Sequence, residues 1–260
     1  MAIRAKGLRK SFVSRGAHVL ALDGVDLDIG QGEFVALLGP SGSGKSTVLN
    51  LIAGIESPTE GQITFFNHNE EEVVPKLGYM TQQDSLLPWK TAIQNVALLS
   101  KVKGASSADA EDAAKWWLGK MGLKGFHSHY PSELSGGMRK RVALAQLLAH
   151  RPDVLLLDEP FGALDAQLKL VMQDELLKVW DADKKTVLFV THDLSEALTL
   201  ADRVIVFTGR PGRIKLAMRV PLSRPRDVFK DRFTPEFQAC YQELWDALDP
   251  AHANTEPLLD

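Results

Sequence analysis

The hydrophobic positions of this chain fall into short continuous runs, which predict strands buried on both faces of a sheet. Each run is bounded by turn or polar residues: EFVALLG (33–39), DVLLLDEP (153–160), TVLFVTHD (186–193) and RVIVFTG (203–209). Helical patterns alternate with these runs, including residues 45–55 and 166–183. Alternation of strands and helices favours a largely parallel sheet covered by helices on both faces. We therefore predict an α/β core.

Residues 86–150 have a different pattern, with long helical periodicity and no convincing strand. The segment 106–123 begins with serines and acidic residues, which a helix N-terminus prefers. We predict a helical lobe at 86–150, inserted into an α/β core made of residues 1–85 and 151–226.

Residues 227–260 are predicted to form a helical C-terminal extension. Thr234 is placed to cap a helix whose first turn holds Pro235. Apolar residues then recur at helical spacing, and we expect this stripe to pack on the core: Phe237, Cys240, Tyr241, Leu244, Trp245 and Leu248.

Composition narrows the class of protein only a little. The chain is 45% apolar and 24% charged, and its net charge of -3 gives no electrostatic reason to expect nucleic acid as a partner. Its one cysteine, Cys240, excludes an internal disulfide and fits a reducing compartment. No apolar run approaches the roughly 18–20 residues of a membrane span, and the N-terminus lacks the apolar core of a secretory signal. We expect a cytoplasmic chain that reaches a membrane only through a partner.

The segment GPSGSGKST (39–47) is the first candidate for chemistry, and we call it the phosphate loop. It follows a predicted strand and opens a predicted helix, the context in which G-x-x-x-x-G-K-[ST] binds nucleotide phosphates. Its glycines let backbone N–H groups surround phosphate oxygens, and the helix N-terminus adds partial positive charge. Lys45 is expected to reach the β and γ phosphates and Ser46 to ligate Mg²⁺. The candidate ATP-binding residues are Gly39, Pro40, Ser41, Gly42, Ser43, Gly44, Lys45, Ser46 and Thr47.

Carboxylates and a histidine follow two other predicted strands. Asp158 and Glu159 end one strand, where Asp158 is the candidate Mg²⁺ ligand and Glu159 the candidate general base for an attacking water. His192 ends another strand, where a neutral imidazole is placed to contact the γ phosphate and orient the water. An uncharged side chain able to touch both Mg²⁺ and water is also needed, and chemistry alone allows either Gln82 or Gln83.

A second glycine turn, LSGGMRKR (134–141), precedes another helical pattern and again places N–H donors at a helix N-terminus. A γ phosphate that is already bound by Lys45, Mg²⁺ and His192 leaves little room for a second turn from the same chain. In a two-fold symmetric dimer, Ser135, Gly136 and Gly137 of each chain would instead meet the ATP bound by the other chain.

Taken in order, these motifs resemble the nucleotide-binding subunit of an ATP-binding cassette (ABC) transporter. The resemblance runs from Phe12 to about residue 226 and rests on GPSGSGKST, Gln82, LSGGMRKR, VLLLDEP, GALD and THD. It implies a P-loop NTPase (RecA-like) core with a mostly parallel sheet, an antiparallel N-terminal β part and an inserted α-helical lobe. It selects Gln82 over Gln83, places Phe12 against adenine and assigns Asp165 to the loop that crosses the dimer interface.

Two departures from the family pattern leave the phosphate and metal ligands in place. Met138 stands where many members have glutamine, and Thr81 stands where phenylalanine is common.

Two further stretches, QQDSLLPWKTAIQNV (82–96) and GRPGRI (209–214), resemble importers of nitrate, taurine and aliphatic sulfonates. That resemblance implies two ATPase chains on the cytoplasmic face of the inner membrane, integral-membrane permease subunits and, indirectly, an extracytoplasmic solute-binding protein. The permease would dock on an apolar groove that includes Leu86, Leu87, Pro88 and Trp89. The alternatives are a soluble ABC ATPase without a transport role and an ATPase that drives an exporter or envelope machine.

Two remaining features are expected to be structural. Residues 209–232 carry eight lysines and arginines, which we interpret as a solvated edge rather than a lipid or nucleic-acid surface. His127 and His129 flank Ser128 in a predicted loop and lack the further ligands that zinc requires.

Overall fold

A computed structural model describes residues 2–14, 17–83 and 85–248 of the chain. Within these residues the strands are β1 (Ile3–Ser14), β2 (Ala17–Ile29), β3 (Phe34–Leu38), β4 (Glu60–Phe65), β5 (Leu77–Met80), β6 (Val154–Asp158), β7 (Thr186–Val190), β8 (Arg203–Phe207) and β9 (Ile214–Arg219). The four strands predicted from apolar runs are confirmed as β3, β6, β7 and β8.

The helices of the described residues are α1 (Lys45–Ile52), α2 (Ala92–Val102), α3 (Ser107–Lys120), α4 (Gly136–Ala149), α5 (Ala166–Ala182), α6 (Leu194–Leu200) and α7 (Pro235–Leu248). Two short 3-10 turns cover Pro131–Glu133 and Asp231–Phe233. The predicted helices at 45–55, 106–123 and 166–183 are confirmed as α1, α3 and α5. None of the helices in the described part of the chain is long and apolar enough to cross a membrane.

The contacts divide the chain into two compact units. Unit 2 is Pro75–Asp183, and unit 1 contains the described residues on either side of it. The functional division into a lobe at 86–150 and a core around it stays a prediction.

Unit 1 begins with an antiparallel sheet of strand order β2-β1-β4. Ile3 of β1 pairs with Ile29 of β2 on one side and with Phe65 of β4 on the other. Ile3, Leu8, Leu22 and Ile29 are fully buried. Alternate residues of each strand face the core, and the shifts in register after Ala5 and Leu8 change which residues do so along the strands. This sheet confirms the antiparallel N-terminal part that the family resemblance implied.

The second sheet of unit 1 has the order β7-β3-β8-β9. Strands β7, β3 and β8 are parallel, and β9 is an antiparallel edge strand. All five residues of β3 and all five of β7 are buried, as expected for parallel strands covered on both faces. Because Leu37 of β3 pairs with Val190 of β7, the residues that follow both strands lie at the same edge of the sheet.

Unit 2 contains the parallel pair β5–β6, in which Met80 pairs with Leu157. Helices α2, α3 and α4 pack on one another around buried apolar side chains, which include Leu118, Met121 and Val142. The described elements between residues 86 and 150 are these three helices and the 3-10 turn at Pro131–Glu133. Segments 81–83 and 158–159 follow β5 and β6 at one edge of the pair.

Helix α7 packs against α6 and β8 in unit 1. Thr234 caps it, since its Oγ1 accepts a hydrogen bond from the Phe237 backbone N–H at 3.3 Å. Phe237, Cys240 and Leu244 are buried, as the helical stripe predicted. The prediction is wrong for Trp245, which is 53% exposed because it lies at the margin of the packed face. Residues 249–260 of the predicted extension lie outside the described residues.

The basic segment 209–232 is less solvated than we predicted. Arg226 is buried and its guanidinium donates to three backbone carbonyls, those of Leu198, Thr199 and Ala201. These carbonyls come from the end of α6 and the residue after it, where helical acceptors lack N–H partners. Arg224 binds Asp202 through two hydrogen bonds. At these two positions the positive charges close a helix end rather than forming a surface patch.

Candidate functional site

The phosphate loop follows β3 and leads into α1 in unit 1. Gly44 caps α1 with φ +89, a left-handed conformation that side chains other than glycine adopt at a cost. A Cβ at Gly44 would also lie 2.6 Å from Cδ2 of Leu22. Both the backbone angle and the space therefore require glycine here.

Lys45 is only 7% exposed, and its ammonium group is held by oxygens of the phosphate loop. Nζ donates to the carbonyls of Gly39 and Pro40, both at 2.8 Å, and to Ser43 Oγ at 3.1 Å. These three acceptors are neutral oxygens. An ammonium group held in this way is well placed for an anion, because charge-assisted bonds to phosphate are stronger than bonds to carbonyls.

A second loop of unit 1, residues 208–213, lies against the phosphate loop, and we call it the backing loop. Gly212 donates its N–H to the Ala21 carbonyl at 2.8 Å and accepts from the Asp23 N–H at 3.1 Å. A Cβ at Gly212 would overlap the carbonyl oxygen of Ser43. The terminal nitrogen of Arg210 lies 3.5 Å from the position that a Cβ at Gly42 would take. In the sequence this loop only resembles a segment of nitrate, taurine and sulfonate importers, and its contact with the phosphate loop is not predicted.

His192 follows β7 and therefore lies at the same edge of the sheet as the phosphate loop. Its neighbours fix the turn: Thr191 Oγ1 donates to Glu196 Oε2 at 2.5 Å and accepts from the Asp193 N–H at 3.1 Å. Asp193 caps α6, with its Oδ1 accepting from the Glu196 N–H at 3.2 Å. His192 itself is exposed, so its ring is accessible to a ligand.

Phe12 lies on β1 and is 36% exposed. Lys10 Nζ lies 4.9 Å from the centre of its ring, a distance typical of a cation–π contact. Phe12 is the candidate adenine-stacking residue of unit 1, and one face of its ring is in contact with Lys10.

In unit 2, Asp158 is the last residue of β6 and is only 4% exposed. Glu159 follows with φ +48, a sparsely populated conformation for a residue with a side chain. Such strain occurs most often at functional sites, where the surrounding structure holds it in place. Burial and the negative charge of Asp158 raise the pKa of Tyr79 to about 12, so the Tyr79 phenol stays protonated at neutral pH.

The structure brings Gln82 and Glu159 together within unit 2. Gln82 Nε2 donates to Glu159 Oε2 at 3.2 Å. Gln83 instead accepts, through its backbone carbonyl, a hydrogen bond from Thr81 Oγ1 at 2.6 Å. Between the two glutamines that chemistry left open, the geometry favours Gln82.

Lys140 of α4 is a residue that sequence reasoning missed. It is 8% exposed, and its Nζ donates to the backbone carbonyl of Thr81 at 3.2 Å and to that of Gln82. The residue lies inside the LSGGMRKR motif, but no pattern in the sequence shows that its side chain bonds to a backbone carbonyl 58 residues away.

The glycine turn at 134–137, which we call the signature turn, forms the start of α4. Ser135 caps the helix, and its Oγ accepts from the Met138 N–H at 3.2 Å. A Cβ at Gly137 would lie 3.0 Å from Leu164 Cδ2, so the turn fits closely against the GALD segment. Asp165 of that segment caps α5, with Oδ1 accepting from the Leu168 N–H at 3.0 Å.

A family profile named ABC transporter matches residues 22–162, more than half of the chain. The chain belongs to the ABC transporter family. Its relatives include the aliphatic sulfonates import ATP-binding protein SsuB 1 of Mesorhizobium japonicum, 46% identical over 85% of this chain and 80% of that protein. The nitrate import ATP-binding protein NrtD of Synechocystis sp. is 42% identical over 89% of this chain and 87% of that protein.

A solved dimer of the ATP-binding cassette MJ0796, in a post-hydrolysis state with ADP and Pi, also resembles this ABC protein. It is 33% identical, with a TM-score of 0.75, over 85% of this chain and 100% of that chain. These similarities confirm the P-loop NTPase fold class and the family that the motifs implied. This ABC protein is an ATP-hydrolysing subunit of a transporter, and ATP is its nucleotide.

Each predicted site residue of this ABC protein belongs to one or the other of its two units. Unit 1 holds the phosphate loop, His192 and Phe12, and unit 2 holds Gln82, Asp158, Glu159, Asp165 and the signature turn. Of the predicted permease-docking residues, Leu86 is buried and Trp89 is 69% exposed. Leu86 therefore belongs to the core of unit 2 and is not available to line the predicted permease-docking groove.

Proposed function

We propose that this chain is the ATPase subunit of an ABC importer and drives a membrane permease that takes up a small solute of the nitrate or aliphatic-sulfonate type. The observation that carries the proposal is its similarity to two import ATP-binding proteins, over 85% and 89% of its length. In this proposal the chain lies on the cytoplasmic face of the membrane and binds it only through the permease. An extracytoplasmic solute-binding protein selects the solute.

The phosphate loop binds the ATP phosphates through its N–H groups and through Lys45. Exchanging the carbonyl acceptors of Lys45 Nζ for phosphate oxygens strengthens its hydrogen bonds, because both partners are then charged. Phe12 stacks on the adenine ring, a contact that aromatic side chains make without hydrogen bonds.

Mg²⁺ fits the donor set of this chain. In the described parts of the chain, no three His, Cys, Asp or Glu side chains lie together as a metal cluster. Mg²⁺ needs no such cluster, since it is commonly bound by one or two carboxylates together with substrate phosphates and water. Asp158, Ser46 and Gln82 are the residues proposed to hold it, and when bound it neutralises charge on the phosphates.

Glu159 acts as the general base that orients and deprotonates the attacking water. Gln82 donates a hydrogen bond to its Oε2, which helps to orient the carboxylate. His192 contacts the γ phosphate from the edge of the unit 1 sheet. A positioned general base contributes typically about 10²–10⁴-fold to a rate, so loss of the Glu159 carboxylate should lower turnover by about that factor.

Two copies of the chain complete each other's sites. The signature turn presents Ser135 and the N–H groups of Gly136 and Gly137 at the N-terminus of α4, where an anion is favoured. In this proposal they contact the γ phosphate held by the phosphate loop of the second copy, and Asp165 lies in the same interface. Hydrolysis removes the shared phosphate and lets the copies separate.

A second groove in unit 2, whose lining includes none of residues 86–89, is proposed to receive a cytoplasmic helix of the permease in place of the groove predicted from the sequence. It has a volume of about 290 Å³ and lies among β5, α2 and α4. Its lining is mixed, with apolar Leu77, Leu99 and Leu147 beside polar Gln83, Ser85 and Gln146. An amphipathic helix suits such a groove, since its apolar side chains can enter while its polar ones stay hydrated.

Affinity purification from a membrane extract tests this function. Ala143→Lys puts a long charged side chain into the groove, whereas Ala113→Lys adds the same side chain to an exposed position on α3. We expect the wild-type chain and the Ala113 variant to retain a multi-span permease and the Ala143 variant to lose it. ATP affinity of the isolated chain should be equal in all three, because no residue that lines the groove is among the proposed ATP-binding residues.

The outcome that contradicts the proposal is a permease that stays bound to the Ala143 variant, or no permease with any of the three chains. The purified complex is then used to identify the solute. Its ATPase rate is measured in vesicles with the solute-binding protein and nitrate, an aliphatic sulfonate or no solute. Stimulation by one of the two solutes supports import, and equal rates in all three conditions argue against it.

A further inference from the structure

The helix that starts at the signature turn carries a buried ammonium group on its second turn. Lys140 lies five residues after Ser135, and only 8% of it is exposed. Burial of a charged group costs free energy unless hydrogen bonds replace its water. The carbonyls of Thr81 and Gln82 supply such bonds, so Lys140 holds the backbone that follows β5 at a fixed distance from α4.

That backbone carries the side chain that touches the proposed base. Gln82 Nε2 bonds to Glu159 Oε2 at 3.2 Å, and Glu159 is held in a strained conformation with φ +48. A continuous set of bonds inside unit 2 therefore runs from α4 through Lys140 to Gln82 and Glu159. Such a network restrains a side chain more than any one of its bonds does.

The other end of α4 is the signature turn. Ser135 caps the helix and Lys140 is less than two turns away, so a helix that moves as a rigid rod carries both residues together. When the signature turn contacts the phosphate of the neighbouring copy, any displacement of α4 changes the position of the Thr81 and Gln82 carbonyls. A contact at one site would in this way reach the base of the other.

We propose that Lys140 is a positioning residue, which sets Gln82 and Glu159 for hydrolysis according to the state of the signature turn in the same chain. The proposal rests on the roles given above to Gln82, Glu159 and the signature turn. Lys140 does not touch ATP in this scheme. Its loss should therefore lower kcat and leave the KM for ATP nearly unchanged.

A double-mutant cycle tests Lys140 on the basal ATPase activity of the full chain. Lys140→Met should lower kcat on the order of tenfold, a size typical for residues that share one network. In a Gln82→Ala background the same substitution should cost less than about twofold, because the side chain that Lys140 positions is already absent. Lys140→Arg keeps a donor and should recover part of the loss. Lys124→Met removes the same charge from an exposed position of unit 2 and should leave kcat unchanged.

A purely structural role predicts a different result. It would lower kcat by the same factor in both backgrounds, and this equality would overturn the proposal. So would a change in KM alone. If the methionine variant fails to fold, Lys140→Gln replaces it in the same cycle, with folding followed by thermal unfolding.

Failure of Gln82→Ala to lower kcat would overturn both this proposal and the role of Gln82. Loss of permease binding would leave the cycle intact, because the cycle is measured without a permease. A failure of the import proposal is thus distinguishable from a failure of the Lys140 proposal.

Discussion

The backing loop makes a sharp prediction at Gly212. This glycine packs against the phosphate loop, and a Cβ there would overlap the Ser43 carbonyl oxygen. It would also lie 3.1 Å from both the Ser43 carbonyl carbon and Leu22 Cδ2. Its φ lies outside the left-handed region, so Gly212→Ala is a test of space and not of backbone conformation.

The size of the effect follows from these distances. Carbon atoms in proteins pack best at about 3.5–4.0 Å, so relief of a 3.1 Å contact requires a shift of roughly half an ångström, and the overlap with the oxygen requires more. A total displacement on the order of 1 Å falls on the phosphate loop or on β2. Misplacement by about 1 Å can cost about 10²-fold in rate. We expect kcat/KM for ATP to fall on the order of 100-fold, while overpacking lowers the free energy of unfolding by about 1–3 kcal/mol.

The assay compares Gly212→Ala with Gly209→Ala. Gly209 lies in the same loop, and a Cβ there would meet nothing within 4 Å. ATP affinity is measured by titration calorimetry, turnover by phosphate release and stability by thermal unfolding. The Gly209 variant should match the wild type in all three.

A Gly212 variant that binds and hydrolyses ATP as the Gly209 variant does would contradict this expectation. So would a loss of ATP affinity no larger than the unfolded fraction of the sample explains. Either result would mean that the backing loop moves away freely and does not support the phosphate loop.

Two further predictions concern the shared site and the acid stability of the chain. A mixed dimer of Lys45→Ala and Ser135→Arg chains should hydrolyse ATP, since both lesions fall in one site and the other site is intact. A dimer of a wild-type chain and a chain with both lesions should be inactive, because each site then has one lesion. Asp23→Asn should lower the free energy of unfolding at pH 7, and the difference from wild type should vanish as the pH falls below the pKa of folded Asp23. Urea unfolding at pH 7 and at acid pH measures this difference.

The sign of the pH effect follows from the Asp23 ion pairs. The Arg213 side chain, by hydrogen bonding and then by its charge, and the charge of Arg9 hold the pKa of Asp23 below its ordinary 3.8, against the opposing effect of burial. A lowered folded-state pKa stabilises the protein above pH 3.8, and this contribution is lost as the pH falls through the folded value. A constant difference between wild type and Asp23→Asn at every pH would contradict this account.

The mixed dimers are selected by two different affinity tags, and homodimers of each single variant supply the inactive baseline. Greater activity in the wild-type plus doubly altered pair would mean that each chain completes its own site. Equal activity of the two mixed pairs would also refute the exchange of signature turns between copies.

Local patterns in the sequence were sufficient to predict the strands and the phosphate loop. A run such as EFVALLG becomes a buried strand because its own side chains exclude water, and GPSGSGKST becomes a phosphate loop because its own glycines permit the turn. Both the strand and the turn depend on residues that are adjacent in sequence, so both can be predicted from the sequence alone. The order of the motifs was likewise sufficient for the family, which the comparisons confirm.

Contacts between distant segments were decided only by the tertiary structure. Gly212 meets Ser43, and Lys140 bonds to the carbonyls of Thr81 and Gln82. Every residue but proline carries the same backbone N–H and C=O, so no residue type marks a carbonyl as the acceptor of a remote lysine. Trp245 shows the same limit, since helical spacing placed it on the stripe while the packing of α7 left it exposed. The sequence alone determined which chemical groups are present and the local elements that carry them, and folding determined which of those groups touch, because such contacts depend on the packing of segments that are far apart along the chain.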